Sequence, residues 1–281
     1  MPSLQDHLTD ARRRLIEAGV DAAEAALDAE MLARDLLGWD RAHLLVHRND
    51  TAPDGFDAGY AARLQRRLRR EPVGYILGHH QFWGLDLEVT PDVLIPRPET
   101  ELIIDEAIRA AASRDPYRRI ADVGTGSGCI AVALAVEFPS AEVLATDISG
   151  AALAVAARNA RLHQVDNRIT FLESDLLDGI GTPADLIVSN PPYVAASDAP
   201  GLAPELGYEP SQALFAGSDG LSVVGRLLTA AGPLLAANGL LIVEFGFGQE
   251  PAVRTLAEAG GWSVEVRRDL QSIPRVAVLR R

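Results

Sequence analysis

The chain contains no lysine; all 26 of its Lys/Arg positions are arginine. A Walker phosphate loop is therefore excluded, because that loop needs a lysine to reach the phosphates. The single cysteine, Cys129, excludes an internal disulfide and fits a reducing compartment. No apolar run is long enough to span a bilayer. A basic region followed by an apolar stretch is missing from the N-terminus, so no signal peptide is expected. The formal net charge of −13 argues against broad nucleic-acid binding, which depends on neutralising phosphates. His79 and His80 come without metal-ligand spacing and are read as structural or exposed. What is present is 281 residues, 48% of them hydrophobic, enough for a real core in one large or two modest domains.

The first 70 or so residues read as helices. Asp21-Ala22-Ala23-Glu24 has a capping-box form, and Leu27, Met31, Leu32 and Leu36 form an apolar stripe suited to a core. Gly38 closes that helix. A second helix carries Arg63, Arg66, Arg67, Arg69 and Arg70, read as a solvated face or, alternatively, as a docking patch for an acidic partner. Across residues 73–93, Gly74, Gly78 and Gly84 interrupt short apolar runs, while Leu85, Leu87 and Val89 alternate with polar residues. That reads as a β-hairpin between two domains. A rigid turn, Pro96-Arg97-Pro98-Glu99-Thr100-Glu101, leads into a helix starting near Thr100. Strands are expected at 120–123, 142–146, 169–172, 185–189, 239–245, 263–267 and 276–279. Helices between the first five imply a parallel sheet covered on both faces, with the last pair as an antiparallel edge. The expected organisation is a helical domain over 1–72, a β-hairpin linker over 73–97 and an α/β domain over 98–281.

Asp122-Val123-Gly124-Thr125-Gly126-Ser127-Gly128-Cys129 joins the first of these strands to a helix ending near Pro139. Glycines let backbone approach a ligand, and the helix start offers free N–H groups. The spacing is Gly-x-Gly-x-Gly, with Cys129 where a dinucleotide fold has its last Gly or Ala. Asp147 ends the next strand, where a carboxylate accepts both ribose hydroxyls. Loop and acid together favour S-adenosylmethionine over NAD. Asp122 is placed to help hold an ammonium, although either Asp alone reads equally as a cap. Asp175 and Leu176, after the third strand, are expected near the adenine edge; a loop cap is the alternative reading of Asp175. Cys129 should pack beneath the loop and is not proposed as a nucleophile, since no His partner is apparent.

The second focus is Ile187-Val188-Ser189-Asn190-Pro191-Pro192-Tyr193. A short β-branched apolar run ends abruptly, and two prolines forbid further ladder bonding. Pro191 holds Asn190 extended. The Asn190 carboxamide thus sits at a strand's C-terminal end, where open α/β sheets bind ligands. Unpaired backbone carbonyls and the Tyr193 ring lie beside it. Two acceptors and a ring suit a planar nitrogen bearing two hydrogens. Asn-Pro alone would read as an ordinary turn.

Together with these motifs, Glu71-Pro72-Val73-Gly74-Tyr75-Ile76-Leu77-Gly78, Phe82-Trp83-Gly84-Leu85 and Thr90-Pro91-Asp92-Val93-Leu94-Ile95 running into the Pro96-Arg97-Pro98-Glu99-Thr100-Glu101 turn resemble the HemK/PrmC family. Those enzymes are protein-(glutamine-N5) methyltransferases of peptide-chain release factors. The resemblance covers about residue 71 to the C-terminus. Tyr208-Glu209-Pro210 and Gly217-Ser218-Asp219-Gly220 also fit, whereas Glu205-Leu206-Gly207 lacks an expected arginine. The resemblance implies a Rossmann-like class I S-adenosylmethionine-dependent methyltransferase with a seven-stranded, mostly parallel sheet. Cofactor contacts would come from Asp122, Gly124, Thr125, Gly126, Ser127, Gly128, Asp147, Asp175, Leu176 and Asn190, with S-adenosylhomocysteine as product. The glutamine of a Gly-Gly-Gln motif would be held by Asn190, Pro191, Pro192 and Tyr193, its amide hydrogens accepted by the Asn190 side-chain oxygen and the Pro191 carbonyl. The implied setting is a cytoplasmic, monomeric enzyme with release factors as partners, without metal, membrane or direct nucleic-acid contact. Other readings are an adenine-N6 nucleic-acid methyltransferase, which shares Asn-Pro-Pro-Tyr, and a ribosomal-protein glutamine methyltransferase. A non-enzymatic binding module and, more distantly, an NAD dehydrogenase complete the set.

Overall fold

A computed structural model describes residues 2–112 and 115–281. The chain divides into two compact units. One comprises residues up to His79 together with Ala203–Tyr208; the other comprises His80–Leu202 and Glu209–Arg281.

The first unit is helical: α1 (Leu4–Glu17), α2 (Ala22–Leu37), α3 (Arg41–His47), α4 (Phe56–Leu68) and the short α5 (Val73–Leu77). Ser3 and Asp6 form a capping box at α1. Asp21 caps α2 by accepting from the Ala23 and Glu24 amides, and Gly38 ends it in a left-handed turn. The core gathers Leu4, Leu15, Leu32, Leu44, Phe56 and Leu64. Each such side chain contributes about 1.5–3 kcal/mol on burial.

Three expectations change here. Leu27 is 49% exposed, and the inward face of α2 is Ala25, Ala29, Leu32 and Ala33, with Asp28 also turned inward. Small residues on that face let neighbouring helices approach closely. Apart from exposed Arg69, the arginine run is not a solvated face. Arg67 is 1% exposed and donates to Asp28 at 2.7 Å, Glu24 at 2.8 Å and Glu205 at 2.7 Å. Arg70 adds two bonds to Glu205, Arg63 pairs with Asp35, and Arg66 with Glu71. A guanidinium tolerates burial when its fixed fork of donors is matched by carboxylates. Burial works against the Glu205 charge, but its bonds from Arg70 and Arg67 outweigh that and hold its carboxyl at about 2. Finally, residues 73–77 are a helical turn. Pro72 enters it without needing an N–H, and Gly78 closes it at φ 84°. The hairpin is confined to β1 (His79–Phe82) and β2 (Leu85–Glu88).

The second unit continues with α6 (Glu101–Ala111), β3 (Arg119–Val123), α7 (Cys129–Glu137), β4 (Glu142–Asp147), α8 (Gly150–Leu162), β5 (Ile169–Glu173) and β6 (Ala184–Ser189). It ends with α9 (Ser211–Leu214), α10 (Ser222–Leu234), β7 (Leu235–Glu244), α11 (Glu250–Ala259), β8 (Ser263–Arg268) and β9 (Pro274–Arg280). The sheet order is β5-β4-β3-β6-β7-β9-β8. Its first five strands are parallel, and β9 and β8 run antiparallel at the edge. All seven strands lie where the apolar runs place them.

Alternate residues serve opposite faces. Ile120, Leu186, Val188 and Ile242 pack with α6, α7 and α8. Ala121, Val123, Ile187 and Leu241 pack with α10, α11 and Trp262. Helix α7 is buried throughout from Cys129 to Ala135, so its apolar residues occupy every side rather than a stripe. The order reverses around β3: the chain moves outward to β4 and β5, then returns to the other side as β6. Ligands of open α/β sheets bind at the C-terminal ends beside such a reversal.

Candidate active site

Gly124 and Thr125 leave β3 with both amides bonded to the Thr146 carbonyl at 2.8 Å. The turn that follows is left-handed at all three glycines. Gly128 shows why side chains are excluded: a Cβ there would stand 2.9 Å from that of Ala156. Buried Asn159 fastens the far side, donating to the Ser127 carbonyl at 2.8 Å and to the Glu88 carbonyl at 3.0 Å.

Asp147 ends β4 facing this loop. Its Oδ2 accepts from the Gly126 amide and its Oδ1 from the Ser149 amide, each at 2.9 Å. Burial raises its pKa against these bonds. Each oxygen keeps a further acceptor site, so the carboxylate can take two neighbouring hydroxyls.

A cleft of about 310 Å³ runs along these strand ends. Gly124, Thr125, Gly126, Ser127, Asp147, Asp175, Leu176, Asn190 and Pro192 all contribute to its wall. Leu176 sits at φ 55°, a conformation costly for a branched side chain, and Thr146 donates to its carbonyl at 2.9 Å. Asp175 is paired with Arg226 at 2.6 Å.

Four expected residues are not on that wall. Asp122 is fully buried behind the loop, where its Oδ2 accepts from Thr125 Oγ1 at 2.6 Å and from the Ala131 amide at 3.1 Å. It therefore braces the loop and does not face the cleft. Burial pushes its carboxyl up to about 7. Gly128 opens α7 beneath the loop, and Pro191 is buried. Tyr193 also lies back from the wall, its phenol 3.5 Å from Glu244 Oε1. Gln249 donates to the Tyr193 carbonyl at 2.9 Å and accepts from the Gly246 amide at 2.8 Å. A Cβ on Gly220 would collide with that same carbonyl. Cys129 is buried, and burial first, then the charge of Asp122, raises its thiol to about 12, which suits an inert packing residue.

Asn190 donates from Nδ2 to Thr100 Oγ1 at 3.0 Å. No donor among the described residues reaches its Oδ1, which stays available as an acceptor. Thr100 was legible only as part of a turn. Glu244 was legible only as a residue inside the 239–245 strand, although an acid after Leu-Leu-Ile-Val was a signal. Gln249, Asn159 and Arg226 carried no local signal.

The sequence of the first unit matches the PrmC N-terminal domain family over residues 6–78. Residues 102–230 match the methyltransferase small domain. The release factor glutamine methyltransferase of Cereibacter sphaeroides is 43% identical over 98% of this chain and 97% of its own length. The chain belongs to the HemK/PrmC family. A second HemK/PrmC relative, the release factor glutamine methyltransferase of Deinococcus radiodurans, is 37% identical over 99% of this chain and 98% of its own. In fold, the hMettl16 catalytic domain, solved with the MAT2A 3'UTR hairpin 1, superposes with TM-score 0.58 at 16% identity, covering 84% of this chain and 83% of that one. This HemK/PrmC chain therefore shares the class I methyltransferase fold, and S-adenosylmethionine is its methyl donor.

Proposed function

We infer that the protein transfers a methyl group from S-adenosylmethionine to the side-chain amide nitrogen, N5, of a glutamine in peptide-chain release factors, the one in their Gly-Gly-Gln motif. The observation that carries this reading is Asn190: its Nδ2 is committed to Thr100, and its Oδ1, at the end of β6 on the wall it shares with the glycine loop, has no donor among the described residues.

The cleft fits the donor. Asp147 retains acceptor sites for a ribose diol, the 124–128 loop presents backbone to the remainder, and Leu176 and Asp175 flank the adenine position. S-adenosylmethionine supplies an electrophilic sulfonium methyl when bound. The chain's own residues prepare the nucleophile. A carboxamide nitrogen is poor because its lone pair is delocalised into the carbonyl. Asn190 Oδ1 and the Pro191 carbonyl each accept one amide hydrogen, fixing the nitrogen and favouring a pyramidal form. Pro192 lines the pocket beside it, with Tyr193 packed behind. Such positioning supplies several kcal/mol of barrier reduction, and acceptors aimed at developing positive charge supply more. The proton becomes acidic only as the new bond forms, so no strong base is required.

The N-terminal helices are proposed to dock the folded factor, and the enzyme to work as a monomer in the cytoplasm. The PrmC N-terminal domain match and the single, buried thiol support this reading. Among the described residues, no helix is long and apolar enough to cross a membrane.

The test is mass spectrometry of release factor after incubation with enzyme and donor. One added methyl on the Gly-Gly-Gln glutamine is expected, and none when that glutamine is replaced by glutamate. Methylation of DNA or of ribosomal protein, with release factor untouched, would overturn the assignment.

A further inference from the structure

The C-terminal end of β7 holds a carboxylate that the reaction above does not use. Glu244 is 2% exposed, and its Oε2 has no hydrogen-bond partner among the described residues. The register sets Ser189 opposite Val243, so the residue after each, Asn190 and Glu244, stand side by side at the strand ends. Thr100 links them: its hydroxyl accepts from Asn190 Nδ2 at 3.0 Å, and hydrogen bonding with Thr100 is among the effects that favour the charged form of the Glu244 carboxyl. Thr100 is itself 1% exposed, so bulk water does not compete for its hydroxyl.

We propose that Glu244 and Thr100 are positioning residues that fix which way the Asn190 carboxamide faces. The reasoning is an inventory of protons and rests on the functional reading above. An ionised carboxylate only accepts, so a hydroxyl against it donates. The Thr100 hydroxyl, its hydrogen directed at Glu244, has only lone pairs for Asn190. Asn190 must then turn its Nδ2 toward Thr100 and its Oδ1 toward the cleft. The reverse orientation would offer N–H groups to the substrate amide, which itself needs acceptors. Protonating Glu244 removes the constraint, since a carboxylic acid can donate to Thr100 and allow the amide to flip.

The groups that act on the Glu244 charge include Thr100, Glu99, Tyr193, Arg275 and Cys129. Burial, aided by Glu99, pushes its carboxyl up to about 7 against Thr100, Arg275 and Tyr193. The orienting charge therefore forms within the neutral range.

The experiment measures methyl transfer to intact release factor, with donor affinity followed by calorimetry. Thr100→Val should lower kcat by roughly 10–100-fold, as for outer-shell partners that orient a reacting group, with donor affinity little changed. Thr100→Ser, which keeps the hydroxyl, should recover most of that loss. Adding Thr100→Val to Asn190→Ala should cost nothing further, because both act through one carboxamide. In wild type kcat should climb with pH through about 7, and Glu244→Gln should erase that limb. Wild-type turnover in Thr100→Val, or losses that multiply in the double variant, would overturn the proposal. A wild type that leaves release factor unmodified would overturn the functional reading and this inference with it.

Discussion

Arg67 and Asp28 form an ion pair inside a helical core, 2.7 Å apart, with side-chain exposures of 1% and 7%. Ion pairs so deeply placed behave unlike surface ones. Their desolvation cost is met only while every partner is present.

Arg67→Met should accordingly destabilise the protein by about 3–5 kcal/mol, because Asp28 is left buried and uncompensated. Combining it with Asp28→Leu should recover much of that loss. Urea denaturation of the single and double variants checks this, and a double variant no more stable than Arg67→Met would contradict it.

Asp147→Ala should weaken S-adenosylmethionine binding by about 1.5–3 kcal/mol, the usual size for hydrogen bonds to a charged group. The substitution also frees the Gly126 and Ser149 amides. Calorimetry with the donor measures the effect; unchanged affinity would remove Asp147 from the ribose.

Asn190→Ala should reduce kcat on the order of 10²-fold or more while leaving donor affinity nearly intact. Steady-state kinetics at saturating release factor separates the two. Near-normal turnover would refute the acceptor role given to its carboxamide.

The buried Asp122 makes stability depend on pH. Burial raises its folded pKa to about 7, well above the unfolded value. The stability gained from the protonated group is complete below about pH 4 and is lost as pH rises through about 7. Asp122→Asn lacks that loss. The variant should gain on wild type by on the order of 2–4 kcal/mol across this window, and no further above it. Denaturation curves at several pH values between about 5 and 8 test this; a constant difference would show that Asp122 does not titrate there.

The strands were legible because buried parallel strands read as uninterrupted apolar runs between turn signals. Asp147 and Asn190 were legible for a related reason: each polar residue closes such a run at the end where ligands bind. Asp122 misled because position in sequence does not give facing. It shares the Ile120 side of β3, so it points at α7 and not into the cleft. Arg67 misled because a solvated arginine and a buried one share the same local pattern. What separates them is Asp28, Glu24 and Glu205, the last 138 residues away. Thr100, Glu244 and Gln249 belong to that class too, since their partners meet only in the folded sheet.

The helical unit is assembled from two stretches of gene, the codons leading up to His79 and those for Ala203–Tyr208. Glu205, in the second stretch, answers Arg67 and Arg70 in the first. The unit is therefore not a cassette that recombination can move with one crossover. A chimera taking its N-terminal helices from a relative inherits arginines and carboxylates selected apart from each other. Successful exchange in evolution, or in the laboratory, has to carry the six-residue segment along with the helices.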